Sequence, residues 1–107
     1  MNPNSEQKRI AFGYERLWNG SIVLHEAQAK AVQLIYNFYA EGRPISEIKN
    51  VFENCQIPSP QNKPSWGKQT ISNILSNPHY VGSDVYPQIV SQELFDKVQA
   101  IKEKNRC

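Results

Sequence analysis

Apolar residues recur every three or four positions in residues 26–41, which is the period of a helix with one buried face. This spacing predicts an amphipathic helix of about four turns. Gly42 follows its last turn, where glycine commonly ends a helix in the left-handed conformation. The predicted buried stripe comprises Ala27, Ala31, Leu34, Ile35, Phe38 and Tyr39.

Three shorter helices are predicted by the same rule. The second begins near an N-cap at Ser46, and its stripe is Ile45, Ile48, Val51 and Phe52. The third is capped by Ser65 or Gly67 and extends to about Asn77, because Pro78 excludes the helical conformation from the residue before it. Ser91 caps the fourth, whose acids lie in the first turn and whose bases lie in the last turns, as the helix dipole favours. The apolar stripe of this helix is Leu94, Phe95, Val98 and Ile101.

A β-hairpin is predicted before the first helix. Two short runs rich in aromatic and β-branched residues flank Asn19-Gly20, a pair suited to a tight type I′ turn. Gly13 within the first run indicates a bulge or a close approach by another segment. The stretch "HYVGSDVYPQIV" predicts a second short β segment around Gly82.

These elements predict a small, mainly α domain with one or two short β-hairpins. Residues 1–9 are polar and show no periodicity, so we expect a flexible arm, followed by a single domain over residues 10–107. A proline-rich loop joins the second and third helices, which would form a loose helix-turn-helix.

The third helix divides into an apolar and a polar face. In "PSWGKQTISNILSNPHY", Ile71, Ile74 and Leu75 form the apolar stripe. The opposite face contains no acid, and its long or amide side chains are of the kind that reach phosphates and base edges, although a solvated face would also be polar. Its members are Lys68, Gln69, Ser72, Asn73 and Ser76.

Charge distribution says more about partners than the formal net charge of +2 does. No acid lies between Glu53 and Asp84, whereas Lys63, Lys68 and His79 do. No apolar run approaches the roughly 20 residues of a membrane span, and the N-terminus has no apolar signal-peptide core. We therefore expect a cytoplasmic protein with no membrane partner.

Aromatic and cysteine residues are interpreted first as packing groups. Trp66 is expected to anchor the third helix in the core, and Cys55 is expected to be buried. The same packed position is expected for Tyr14, Trp18, Tyr36, Tyr39 and Tyr86.

The sequence contains none of the common catalytic or metal-binding signatures. It has no phosphate-cradling glycine loop, no HExxH and no CxxC, and two cysteines cannot complete a tetrahedral zinc site. His25 and His79 have no neighbouring triad partner and are expected at the surface or at helix caps. We expect no catalytic residue, no metal and no cofactor in this chain.

Several motifs, taken in order, resemble the recombinase domain of large serine recombinases (LSRs), the site-specific integrases, transposases and resolvase-like enzymes. They are an aromatic-Gly-Tyr opening, "IPSP", a tryptophan followed four residues later by Thr-Ile, "ILSNPHYVG" and "IVSQELFDKVQ". The resemblance covers about residues 11–104. It implies a double-stranded-DNA-binding module that normally follows a catalytic domain carrying the serine nucleophile and precedes a zinc ribbon. We expect this chain to position DNA, to contact the parent's other domains and to oligomerise through the parent's catalytic domain, without catalysing strand exchange itself.

The resemblance also suggests roles for the polar residues. Lys63 and Lys68 would contact the DNA backbone, while Gln69, Ser72 and Asn73 would face base edges in the major groove. Lys8 and Arg9 of the arm would follow the adjacent minor groove. Two other hypotheses stay open: a protein-interaction module that docks on the parent's catalytic domain or another partner, and an RNA-binding domain.

Overall fold

In the described part of the chain, four α-helices, one short 3-10 helix and one two-stranded hairpin make up the fold. The computed structural model describes residues 11–60, 63–84 and 86–105. This architecture confirms the predicted mainly α class. In chain order the elements are β1 (Tyr14–Arg16), β2 (Ile22–Leu24), α1 (Glu26–Ala40), α2 (Ile45–Asn54), α3 (Lys68–Leu75), a 3-10 helix (Pro78–Val81) and α4 (Gln92–Asn105).

Helix α1 is the centre of the domain, because α2, α3, α4 and β1 all pack against it. The expected stripe is right for Ala31, Ile35 and Tyr39, and Phe38 is half-buried. It is wrong for Ala27, which is exposed, and for Leu34, which is 40% exposed. Because other elements pack against α1 on several sides, its buried residues form a different band from the predicted one. The residues that α1 buries are Ala29, Ala31, Val32, Ile35, Tyr36 and Tyr39.

Both ends of α1 are closed by local hydrogen bonds. His25 is the N-cap, and its Nδ1 accepts from the backbone N–H of Gln28 at 3.2 Å. At the other end Gly42 has φ +99°, and its N–H donates to the Tyr39 carbonyl at 3.0 Å. The helix end predicted at Gly42 is therefore confirmed.

The limits of α2 differ from the sequence prediction. Its N-cap is Pro44, not Ser46, and the Pro44 carbonyl accepts from the N–H groups of Glu47 and Ile48. Ser46 lies inside the first turn, because the fixed φ of Pro44 already suits the start of a helix. Cys55 is exposed rather than buried, since it is the C-cap beyond the last buried residue, Phe52.

The hairpin pairs Tyr14 with Leu24 and Arg16 with Ile22. Its turn is not the expected type I′. The Leu17 carbonyl accepts from Gly20 N–H at 2.9 Å, and Leu17 N–H donates to the Ser21 carbonyl at 2.7 Å. Gly20 has φ +90°, whereas the left-handed residues do not include Asn19, so three residues form the loop and only the last needs glycine. This turn puts Trp18 at the tip, 95% exposed, which makes its expected burial wrong.

The base of the hairpin packs tightly against the segment before α4. Gly13 has φ +110°, and a Cβ atom there would lie 2.9 Å from Ile89 Cδ1. The predicted close approach at Gly13 is therefore confirmed.

The second predicted β segment is instead a 3-10 helix followed by irregular chain. Asn77 caps the 3-10 helix through its side chain, which accepts from His79 N–H at 3.0 Å. The Tyr80 carbonyl then accepts from the N–H groups of Ile89 and Val90. These local bonds occupy backbone groups that a β ladder would have needed.

Three buried tyrosines join the hairpin, α1 and the 3-10 helix. The Tyr14 hydroxyl donates to the Pro87 carbonyl at 2.7 Å, and the Tyr80 hydroxyl donates to the Phe12 carbonyl at 2.6 Å. Burial raises the pKa of Tyr14 to about 12 and also raises the pKa values of Tyr36 and Tyr80. The Tyr36 hydroxyl donates to the Ile74 carbonyl at 2.8 Å, so each of these three buried hydroxyls has an acceptor inside an otherwise apolar core.

Candidate nucleic-acid interface

Trp66 fixes the start of α3. Its side chain is 2% exposed, and its rings meet those of Phe12 and Phe52 edge to face at centroid distances of 5.7 and 5.0 Å. The indole Nε1–H donates to the Ile57 carbonyl at 2.7 Å, and the backbone N–H of Trp66 donates to Glu53 Oε2 at 2.7 Å. The predicted role of Trp66 as a core anchor is confirmed.

The apolar side of α3 is buried as predicted, through Ile71, Ile74 and Leu75. The helix itself ends at Leu75, two residues earlier than expected, because Asn77 is extended and caps the following 3-10 helix. Gly67 is its N-cap and makes no side-chain capping bond.

The last carbonyls of α3 are bound by side chains of two other helices. The Tyr36 hydroxyl of α1 donates to the Ile74 carbonyl at 2.8 Å, and Gln99 Nε2 of α4 donates to the Leu75 carbonyl at 2.6 Å. These bonds satisfy carbonyls that the end of a helix leaves without full intrahelical partners. They fix α3, which has only 8 residues, relative to the core.

The opposite side of α3 presents Lys68, Gln69 and Asn73 to solvent. Gln69 Nε2 donates to Asn73 Oδ1 at 2.9 Å, so the two amides lie side by side one helical turn apart. The structure thus brings together three of the predicted residues on one exposed face, which we call the α3 face: Lys68, Gln69 and Asn73.

The other predicted site residues lie elsewhere. Ser72 is half-buried towards α4, where its Oγ accepts from Lys102 Nζ at 3.2 Å. Lys63 is exposed in the loop before α3, and its backbone N–H donates to Ser59 Oγ at 3.2 Å. Lys8 and Arg9 lie outside the described residues.

Positive charge beside the α3 face is not neutralised within the described part of the chain. There, Lys63, Lys68 and Lys102 form no ion pair, whereas Lys49 of α2 pairs with Glu53 at 2.9 Å. A backbone hydrogen bond from Trp66 and a second bond from Lys49 hold the pKa of Glu53 below its usual range. Glu53, the acid that bonds Trp66, is therefore already paired with Lys49 of its own helix.

Sequence reasoning missed Lys102 as a neighbour of this face. The signal was present, because Lys102 follows Phe95 by seven positions and Val98 by four and therefore lies on the same side of α4 as these core residues. A lysine on an apolar stripe indicates a side chain that extends along a packed surface to an exposed edge.

The described ranges contain neither a cluster of metal ligands nor a membrane-spanning helix. No three His, Cys, Asp or Glu side chains there come together in a way that could hold a metal ion. Equally, no helix formed by those residues has the length and apolar character needed to cross a bilayer.

Comparisons with known proteins agree with this fold. A family model described as Recombinase matches residues 26–105. A crystal structure of an LSR-DNA complex aligns with a TM-score of 0.73 at 23% identity, over 91% of this chain and 33% of that chain. A structure concerning the sequence requirements of the Listeria innocua prophage attP site aligns with a TM-score of 0.72 at 24% identity, over 91% of this chain and 43% of that one. The chain therefore spans less than half the length of these solved relatives.

Proposed function

The chain belongs to the Recombinase family, and we propose that it is the DNA-binding domain of a serine site-specific recombinase. It would position the parent enzyme on its attachment site during strand exchange. The remaining length of the solved relatives leaves room for the catalytic domain, through which we expect the parent to oligomerise in the cytoplasm. Residues 10–107 would form one DNA-binding domain, and the rest of the parent would carry the chemistry.

One observation carries the proposal: the α3 face is polar, exposed and free of acid, on a helix whose other side is fixed in the core. A rigid helix is a suitable reader, because base contacts demand well-placed side chains. Trp66 and the bonds from Tyr36 and Gln99 supply that rigidity.

We assign base contacts to the amides and backbone contacts to the lysines. Gln69 and Asn73 suit paired hydrogen bonds to adenine or bonds to other base edges in the major groove. Lys68, in the first turn of α3, and Lys63, in the preceding loop, suit phosphates. With α2 and α3 in contact across the loop, the pair would act as a loose helix-turn-helix.

The remaining assignments depend on this docking. Ser72 would join the interface only after releasing Lys102. The Lys8-Arg9 arm would follow the neighbouring minor groove.

The test begins with duplexes selected by the full chain from a random-sequence library. Fluorescence anisotropy then compares a selected duplex with a scrambled one for Gln69→Ala, Asn73→Ala and Lys68→Ala. Each amide variant should weaken the selected duplex by about 1–3 kcal/mol and leave the scrambled one nearly unchanged, because base contacts carry sequence information. Lys68→Ala should weaken both equally and flatten the salt dependence.

Equal losses on both duplexes for all three variants would contradict these roles. Absence of any selected sequence, with no loss for any variant, would contradict DNA binding by the α3 face. Folding of each variant is checked by its thermal unfolding curve.

A protein-interaction role is the second candidate, and one observation favours it. The hairpin exposes Trp18 almost completely and leaves Leu17 and Leu24 about two-fifths exposed. Exposed large apolar side chains can mark protein contacts. Salt dependence separates the two roles, because a phosphate contact releases counterions and weakens steeply with salt, whereas an apolar interface responds little.

A further inference from the structure

Lys102 is held at the edge of the α3 face by the packing of α4. Its neighbours one and two turns earlier on α4 are the buried Val98 and the half-buried Phe95. Lys102 is itself half-buried, and its ammonium emerges where α4 meets α3. Its stem is therefore covered, and only the charged end is free to choose a partner.

Ser72 is a weak hydrogen-bond partner for the Lys102 ammonium. Lys102 Nζ donates to the neutral hydroxyl of Ser72 at 3.2 Å, and within the described residues it forms no ion pair. A hydrogen bond between a cation and an anionic oxygen is shorter and roughly twice as strong as a neutral one. An anion placed beside α3 would therefore displace the serine.

Helix geometry puts such an anion within reach when α3 lies in a DNA groove. Packed helices lie about 8–10 Å apart, and the major groove is about 12 Å wide. A helix packed beside the reading helix therefore lies near the phosphates of one strand that borders the groove.

We propose that Lys102 contacts a DNA phosphate from α4, so that the interface is built on two helices. The inference rests on the proposed function. When DNA binds, the ammonium leaves Ser72 Oγ for a phosphate oxygen of the flanking strand, and the released Ser72 hydroxyl turns to the groove. The Ser72 hydroxyl can therefore bond DNA only after the Lys102 ammonium has left it.

The experiment measures binding of the full chain to the selected and scrambled duplexes over a series of salt concentrations. Lys102→Met keeps the packed stem and removes the charge. One fewer phosphate contact should weaken both duplexes about five- to tenfold at about 0.1 M salt and reduce the salt slope by roughly 0.9.

Three variants separate the charge from other effects. Lys104→Met removes the same charge from an exposed position on another side of α4 and should leave the slope unchanged. Lys102→Arg should restore binding. Ser72→Ala removes the hydrogen bond but not the Lys102 charge, so it should keep the salt slope of wild type even where loss of the hydroxyl weakens the selected duplex.

The outcomes distinguish this inference from the proposed function. If Gln69→Ala and Lys68→Ala lose binding while Lys102→Met matches Lys104→Met, then Lys102 makes no phosphate contact. If Ser72→Ala reproduces the loss seen for Lys102→Met on both duplexes, Lys102 only braces α3, and the inference fails. If no variant of the α3 face changes binding, the proposed function fails with it.

Discussion

The two tryptophans of this chain occupy opposite environments. Trp66 is 2% exposed and contacts two phenylalanine rings edge to face, with its indole N–H donating to a carbonyl. Trp18 is 95% exposed at the tip of a three-residue turn. The same residue type, with the same preference for burial, therefore anchors one region and projects from the other.

The difference shows that surroundings, not hydrophobicity alone, decide where an aromatic side chain lies. Trp66 precedes a helix whose apolar stripe draws it towards the core, and a loop delivers the Ile57 carbonyl to its N–H. Trp18 lies where two strands reverse, and residues 15–21 around it are all exposed. The Trp66 side chain is thus enclosed although its chain neighbours are exposed, whereas at the hairpin tip the side chains and their neighbours are all exposed.

The largest expected effect comes from removing the anchor. Trp66→Ala should lower the free energy of unfolding by about 3–5 kcal/mol, because a large aromatic side chain leaves a cavity and a carbonyl loses its donor. Trp18→Ala is the matched control and should change stability by no more than about 0.5 kcal/mol. Urea unfolding followed by far-UV circular dichroism measures both, since that signal reports mainly the helices.

Similar losses for the two variants would show that the hairpin tip also packs in solution. That result would remove the distinction between the regions.

A second, smaller effect compares the base and tip of the hairpin through their glycines. Gly13→Ala should destabilise by about 2–4 kcal/mol, because it combines a positive φ with a Cβ atom 2.9 Å from Ile89 Cδ1. Gly20→Ala has the positive φ but no atom within 4 Å of the new Cβ, so only about 1–2 kcal/mol is expected. Thermal unfolding of both variants measures the difference, which isolates the cost of close packing.

Equal losses at the two glycines would mean that Ile89 moves aside freely. The base would then be as loosely packed as the tip.

The smallest expected effect is the loss of stability in acid that depends on Glu53. The Trp66 N–H and Lys49 hold the pKa of Glu53 below that of the unfolded chain. This stabilisation is therefore present above the unfolded pKa, about 4.3, and is lost as pH falls through the lower folded pKa. Wild type should exceed Glu53→Gln in stability at pH 7, and the gap should narrow as the pH falls below the unfolded pKa and Glu53 becomes protonated.

Glu15→Gln removes an exposed carboxyl near Trp18 and serves as the control for charge alone. Its urea midpoint should follow that of wild type across the same pH series. A gap between wild type and Glu53→Gln that does not narrow as the pH falls below the unfolded pKa would contradict the role of the Trp66 hydrogen bond.

Local chemistry made much of the fold predictable. Gly42 ends α1, Ser91 Oγ accepts from Leu94 N–H at the start of α4, and the stripe of α3 is buried, because each depends on neighbours close in sequence. Leu34 and Cys55 were misplaced, since their exposure depends on which elements cover α1 and on how far α2 extends. The 3-10 helix was missed because β-branched and aromatic residues outweighed the capping signal of Asn77-Pro78.

The candidate site was also predictable where it depends on positions within one helix. Period alone places Lys68, Gln69 and Asn73 on the polar side of α3, as the structure shows. The bond between Lys102 and Ser72 joins residues thirty positions apart, so it depends on how α4 crosses α3. No spacing rule within one helix contains that information.

The bonds from Tyr36 and Gln99 to the last carbonyls of α3 also have a mechanical consequence. A helix of two turns tied at one end to α1 and α4 and at the other to Trp66 has little freedom to twist or slide separately. Any force applied to its outer side chains is passed to the whole domain. A ligand that pulls on α3 would therefore move the hairpin and the flanking helices together, as one rigid body.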